Sequence, residues 1–570
     1  MKNLLTENID IWTSVQIQKN GNGRGNGSAN QSHYGIKKLR ELILELAVRG
    51  KLVPQDPNDE PASVLLEKIA KEKAQLIKAG RIKKEKLLPK ISEDEKPFEL
   101  PNSWSWTRLG NITNYGISDK VEPGQVSENT WILELEDVEK ETSKLLQKIR
   151  CNVRKFQSSK NKFNKGDVIY GKLRPYLDKV IIADEDGICT TEMIPLKGYK
   201  CLTSQFIRLV MKSPYFIHYA DESTHGMNLP RLGTDKARLA LFPLVCEHVQ
   251  HRIVAKVDEL MVLCDKLEQQ QAESNTAHQT LFETLLSTLT SAADANEFNK
   301  AWQRIASHFD ILFSSEQSID QLKQTILQLA VMGKLVPQDP NDEPASVLLK
   351  KIVAEKVRLV KEGKLRKQEP LLEISEDIPF ELPSCWVWCF SQDIFIFEQG
   401  IQVDKDLQLT NVADGYKRFL RIVDYTQETD DIRYVKDPGE KYLVNKDSLV
   451  MVRYGASAGF IGSDKEGVLA NNLFKIIYGI LDKIYIKRFF QCPYFMRELL
   501  SNTQGAAMPS INFNFLNNLL FPLPPINEQH RIVDKVYELM ALCDTLKARL
   551  KDAQTTQIQL ADAIVEEAVG

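Results

Sequence analysis

At 570 residues, with 43% hydrophobic and 26% charged side chains, the chain exceeds what one core can organise and is neither disordered nor fibrous in composition. A formal net charge of −3 excludes indiscriminate coating of nucleic acid, and nine scattered cysteines argue against a disulfide framework. The opening is not signal-like and no window approaches the ~20 apolar residues of a membrane span, so a cytoplasmic protein is expected.

In chain order, residues 1–35 form an N-terminal segment that ends in a flexible linker. KNGNGRGNGSANQSH (19–33) is low in complexity and lacks the lysine and hydroxyl residue that would make its glycines a phosphate-binding loop. A repeated helical region spans 36–99. Ile36, Leu39, Ile43 and Leu46 recur at helical spacing, Gly50 is placed to stop the helix, and Pro61 can open a second one after VPQDPNDEP.

The stretch LAVRGKLVPQDPNDEPASVLL, from Leu46 to Leu66, returns from Leu329 to Leu349 with only Arg49 changed, to Met332. FELPNSWSW (Phe98 to Trp106) is answered by FELPSCWVW (Phe380 to Trp388). LFPLVCEHVQHRIVAKVDELMVLCDKL, starting at Leu241, is answered by LFPLPPINEQHRIVDKVYELMALCDTL, starting at Leu520. Each half therefore reads block, variable region, block, and such a repeat fixes the architecture.

The variable regions, 107–240 and 389–519, are nearly unrelated in sequence. Short β-type runs such as GDVIYGKL, DKVIIAD, DSLVMVRYG and FKIIYGI predict mixed α/β domains over 100–243 and 382–523. Segments 244–290 and 524–570 predict long helices of roughly 40 residues with coiled-coil seams. The first seam runs Ile253, Val257, Leu260, Cys264, Leu267, passes Gln271 and Ser274, and resumes at Leu281, Leu285 and Leu289. The second runs Ile532, Val536, Leu539, Cys543, Leu546, Leu550, Ala553. Between them, 291–381 is a central connector and the second copy of the helical region. The expected fold class is α+β: two mixed α/β domains separated by long antiparallel coiled-coil-like helices in an internal pseudo-twofold repeat.

Catalytic signatures are missing. GDVIYGKL approaches a P-loop but ends in Leu173, no G-x-G-x-x-G follows a strand, and Cys385 and Cys389 lack a second pair for zinc. His251 and His530 fall at equivalent helix starts, where a structural role is expected. No catalytic, cofactor or metal residue is assigned.

Positive evidence lies in local basicity. Between Lys144 and Lys179 eleven lysines and arginines stand against Asp167 and Asp178, a local charge of +9. KLRPY, Lys172 to Tyr176, sets two cations and an aromatic at a proline-fixed bend suited to phosphate, stacking or base-edge contacts, or equally to a solvated strand edge. VRYGASAG (from Val452) is its counterpart, and THGMNLPRLG (from Thr224) and NTQGAAMPSINFN (from Asn502) precede the FPL blocks. The candidate DNA-binding residues are Lys162, Lys172, Arg174, Tyr176, Asn228 and Arg231 in the first region. In the second they are Arg453, Tyr454, Ser457, Gln504, Ser510 and Asn512.

LAVRGKLVPQDPNDEPA, FELPxxWxW and FPLPPINEQHRIVDKVYELMALCDTL, twice and in order, resemble the specificity subunits of type I restriction-modification systems. The resemblance covers nearly the whole chain. It implies two target recognition domains, each reading half of a bipartite asymmetric DNA site, with helices that set the spacing and dock two methyltransferase subunits. It also implies restriction and translocase subunits as partners, with S-adenosylmethionine, ATP and Mg on those partners and none on this chain. One departure is FPLVCEHVQHR, where Val245 and Cys246 stand in place of Pro524 and Pro525. From the residues alone, a coiled-coil scaffold whose variable domains bind proteins is the alternative.

Overall fold

The computed structural model describes residues 8–15, 17–18, 31–32, 34–82, 87–226, 228–313, 315–363, 374, 378–427, 429–502 and 510–570. The linker expected at 19–33 lies outside them, except that Gln31 and Ser32 pair with Gln18 and Ile17. Two units emerge, 1–274 with 554–570, and 275–553.

In the first unit, helix Tyr34–Val48 buries Ile36, Leu39, Leu42, Ile43 and Leu46. It ends as expected at Gly50 (φ +69°), where Lys51 N donates to Leu46 O and Gly50 N to Ala47 O, the double turn of a left-handed C-cap. A Cβ there would lie 2.6 Å from Pro101, so the glycine also allows FELP to pack against the helix end. After the proline-rich turn, helix Ala62–Lys78 starts directly behind Pro61.

The two sequence blocks that flank the variable region then meet. Strand Ser105–Arg108, from FELPNSWSW, pairs antiparallel with Leu241–Leu244, placing Trp106 opposite Pro243. Phe98 packs edge-on against Trp106 and Tyr215, with ring centroids 5.0 and 5.4 Å away. The variable domain is thus an insertion on a clamped two-strand stem. It holds a five-stranded sheet, ordered Lys120–Val121, Lys160–Phe163, Gly187–Cys189, Trp131–Leu133, Ile149–Arg150. It also holds a three-stranded one, ordered Met193–Leu196, Val168–Gly171, Val180–Ile182.

The second unit repeats the stem. Val387–Phe390 pairs with Leu520–Leu523, Trp388 faces Pro522, and Phe380 packs on Trp388 and Tyr494 at 4.9 and 5.4 Å. Two four-stranded sheets complete it, and the four β-type runs read from sequence are all strands: Val168–Gly171, Val180–Ile182, Leu449–Val452 and Leu473–Ile477.

The long helices are Glu247–Thr290 and Ile526–Val569, 44 residues each and therefore about 66 Å long. Each contributes to both units, because the unit boundaries fall inside them. Ile253, Val257, Leu260, Cys264 and Leu267 are buried in the first unit as expected, and so is Gln271. Beyond Ser274 the seam slips: Leu281 is 50% exposed and Phe282 is buried instead, before Leu289 rejoins the expected row. Residues past 274 enter the core built around Ile319, Leu322 and Ile326, a different partner surface, and a straight helix drifts ~20° per heptad against a strict repeat. In the second helix Ala553 is exposed, and the buried row ends at Cys543 with Leu546 and Leu550 half-buried.

The repeated GKLVPQDP words now acquire a structural task. Lys51 Nζ donates to Val569 O at 3.0 Å, and Lys334 Nζ donates to Thr290 O at 3.1 Å. Each lysine thus caps the carbonyl end of the long helix that began in the other half, where a cation complements the helix dipole. Tyr34 Oη donates to Asp562 in the same helix end of the first unit. The central connector holds a helix the sequence reading did not name, Ala295–Ala306, with Phe298 and Ile305 buried.

Candidate nucleic-acid interface

In the first variable domain, the chain leaves strand Val168–Gly171 into KLRPY. Arg174 takes a left-handed conformation (φ 51°, ψ 66°) ahead of a 3-10 turn at Pro175–Leu177, so the bend turns on a non-glycine residue. Three backbone bonds hold it: Lys172 N to Glu192 O, Leu232 N to Lys172 O, and Arg174 N to Pro230 O. Leu173 and Arg231 form an isolated bridge. KLRPY and THGMNLPRLG, which start at Lys172 and Thr224, are therefore one loop pair.

Within it Arg174 and Asn228 are exposed, Tyr176 is 46% exposed, and Lys172 is half-buried with no carboxylate at ion-pair distance among the described residues. Arg231 is different. Its Nε donates to both oxygens of Glu192, at 3.1 and 3.0 Å, so it struts the loop pair. Behind the bend, Asp178 accepts from Lys212, whose Nζ also reaches Ser143 Oγ at 2.7 Å. Burial pushes the Asp178 carboxyl up to about 6 against the pull of that ammonium.

The second domain builds the same pair from other residues. Arg453 N donates to Asn472 O, Ile511 N donates to Arg453 O, and Tyr454 bridges Ser510. By hydrogen-bond position Lys172 corresponds to Arg453, Leu173 to Tyr454, Glu192 to Asn472 and Arg231 to Ser510. Arg453 is held: its Nε donates to Ile511 O at 3.2 Å, and its guanidinium lies 4.6 Å from the Tyr454 ring centroid and 5.3 Å from that of Phe474. Ser457 follows in the same loop, where its carbonyl accepts from Phe460 N. Asn512 caps helix Phe513–Asn518, its Oδ1 accepting from Phe515 N at 2.7 Å, so that oxygen is committed to local structure. Gln504 lies outside the described residues.

Lys162 stands apart from this loop pair, exposed on strand Lys160–Phe163 of the five-stranded sheet. The +9 segment around it is not a +9 surface. Lys148 pairs with Asp184, Arg150 with Glu185, Arg154 with Asp137 and Glu136, Lys155 with Glu128, and Lys160 with Glu134. Lys179 turns inward to Leu135 O, where burial lowers its pKa. Lys144, Lys162, Lys165, Lys172 and Arg174 remain without an ion pair among the described residues. Glu192 and Asn472, which close the loop pairs, escaped the sequence reading because no signal at their own positions marks them.

A family model described as the type I restriction modification DNA specificity domain matches residues 388–554. The EcoAI specificity subunit of a type I restriction enzyme from Escherichia coli is 39% identical over the full length of both chains. The EcoEI specificity subunit, also from Escherichia coli, is 38% identical, again over the full length of both. A solved chain from work on complex assembly and conformational transition of the type I R-M system is 17% identical, with a TM-score of 0.51. The alignment covers 83% of this chain and 99% of that one, a likeness of fold.

Proposed function

This chain belongs to the specificity subunits of type I restriction enzymes, and from that premise we propose that its two loop pairs are the places where DNA sequence is read. The first domain reads one half of a bipartite asymmetric site and the second reads the other. The observation that carries this is the recurrence of one hydrogen-bonded construction in two domains whose residues there differ. A scaffold held constant while its exposed side chains vary suits two different half-sites.

Chemically, Lys172, Arg174 and Lys162 supply charge for phosphates, which sets affinity and makes it salt-dependent. Tyr176 and Tyr454, both partly exposed, offer faces for stacking, and Asn228, Ser457, Ser510 and Gln504 offer donors and acceptors to base edges. Arg231 contributes through Glu192 by fixing the loop. The long helices, whose residues are shared between the units, are the spacer between the two recognition domains. Two methyltransferase subunits dock on the repeated blocks, which offer the same PQDPNDEP turn twice, largely exposed apart from Asp59 and Asp342. Methyl transfer to adenine from S-adenosylmethionine, and ATP- and Mg-dependent translocation and cleavage, belong to the methyltransferase and restriction subunits.

The test is to exchange residues 107–240 for the matching region of a relative and map methylated sites in cells carrying the whole system. Half of the recognised sequence changes and assembly persists. An unaltered methylation pattern would refute the division of labour.

A further inference from the structure

The second loop pair supports a finer assignment, which rests on the reading that this loop pair faces DNA. We propose that Arg453 is a specificity-determining residue that reads a guanine in the half-site of the second domain, donating from Nη1 and Nη2 to O6 and N7.

Three features lead to this. The guanidinium is fixed in direction, because Nε is spent on Ile511 O at 3.2 Å while the ring planes of Tyr454 and Phe474 lie alongside at 4.6 and 5.3 Å. What remains is the far edge, two coplanar amino groups with no hydrogen-bond or ion-pair partner among the described residues. That edge matches the paired acceptors a guanine shows in the major groove. Next, the chain beyond Tyr454 is Gly455, Ala456 and Ser457, all small, and among the described residues Gly455 (φ +83°) has no atom within 4 Å of where a Cβ would stand.

The third feature is the contrast with the first domain. At the equivalent position Lys172 supplies a charge on a stem with no side-chain partner among the described residues, which is all a phosphate requires. Immobilising a long side chain costs rotamer freedom. Doing so at Arg453 suits a contact in which orientation carries information.

The experiment uses the chain assembled with its partner subunits and duplexes containing the site mapped by methylation, the second half-site being the one that changes when residues 389–519 are exchanged. Wild-type complex loses affinity about 5- to 150-fold when one guanine of that half-site is replaced by adenine. It also loses affinity when that guanine is replaced by 7-deazaguanine, which lacks N7. Arg453→Ala binds all three duplexes alike, with unchanged assembly and thermal unfolding, and Arg453→Lys keeps partial discrimination.

A uniform weakening of mapped and scrambled duplexes by Arg453→Ala, with the slope of log K against log salt reduced by about one, would make the contact a phosphate contact. It would overturn this proposal while leaving the loop pair on DNA. Unchanged affinity and sequence preference in Arg453→Ala would overturn the proposal together with the reading it rests on. A second half-site without guanine would overturn the proposal alone.

Discussion

The two units are built to one plan, and their few differences show which features the plan requires. Both stems carry the same polar pins. Gln250 and Gln529 each accept from a backbone N–H of the variable domain, Thr203 and Asp482, both at 2.9 Å. Arg252 pairs with Asp59 as Arg531 pairs with Asp342. Tyr215 N donates to Glu45 and Tyr494 N to Gln328, so an acceptor is kept although its charge is not.

The sharpest difference is one position before those glutamines. The second unit buries Glu528, which accepts from Gln338 Nε2 at 2.7 Å and lies 3.7 Å from Cys385 Sγ, and burial raises its pKa. The first unit has buried Val249 there, and Gln55, the counterpart of Gln338, accepts instead from Trp104 Nε1 at 3.2 Å. An amide that can present either end lets one backbone accommodate a carboxylate or a valine.

This comparison is most strongly tested by exchanging those residues. Val249→Glu buries a charge where the Trp104 and Gln55 donors are already committed to Gln55 Oε1 and Gly50 O and is expected to destabilise by about 3 kcal/mol or more, whereas Glu528→Val copies the first unit and costs under about 1.5 kcal/mol. Chemical denaturation of both variants checks the asymmetry, and equal losses would contradict it.

Where the plan is shared, the effects should match. Arg252→Met and Arg531→Met each leave a nearly buried aspartate without its ion partner, at about 1.5 to 3 kcal/mol apiece by the same measurement. The variable domains differ again behind KLRPY. Because the Asp178 pKa is raised in the folded protein above its unfolded value near 4, stability contributed there falls as pH rises from about 4 to about 6. Asp178→Asn should flatten that interval in thermal unfolding across pH.

The smallest expected effects concern the helix pairs. Arg40 meets Asp265 and Glu268 in the first unit, while in the second Lys323 meets Asp544, and Lys547 meets Asp320 and Glu316. Glu268 and Lys547 are equivalent positions with opposite charge. Lys547→Glu should cost up to about 1 kcal/mol, diminish in high salt, and be recovered on adding Asp320→Lys and Glu316→Lys. Lys334→Met, which removes the cap on Thr290 O, should cost about 0.3 to 1 kcal/mol and raise amide exchange in the last helical turn, and Lys51→Met should cost less, because Arg49 also donates to Val569 O at 3.3 Å.

Much of this was legible in the residues. Helical spacing at Ile36 to Leu46 and Ile253 to Leu267 marks faces that bury against a neighbour whichever neighbour it is, so those helices and their cores follow from periodicity. Gly50 and Gly333 announce helix ends because few other residues adopt their backbone angles. Repetition itself disclosed the stems and the insertion of two domains, since only pieces with the same neighbours need the same words. KLRPY and VRYGAS could be singled out as comparable loops, although the residues that close them could not, because Glu192 and Asn472 act through backbone hydrogen bonds that leave no mark on side-chain identity.

What the sequence by itself determined is therefore local and periodic: the repeated helices, where they stop, and that two halves share a plan, though not helix Ala295–Ala306 of the unrepeated connector. Only tertiary structure decided which charges survive as surface. Lys148, Arg150, Arg154, Lys155 and Lys160 crowd one stretch of chain, yet most of their partners, Glu128, Glu134, Glu136, Asp137, Asp184 and Glu185, come from other strands and turns. Charge is summed over space and not along the chain, so the basic run became a set of ion pairs. Among the described residues the cations left without an ion pair in the loop pairs are Lys172 and Arg174 in one and the outer edge of Arg453 in the other, and of these the Arg453 side chain is held by Ile511 O.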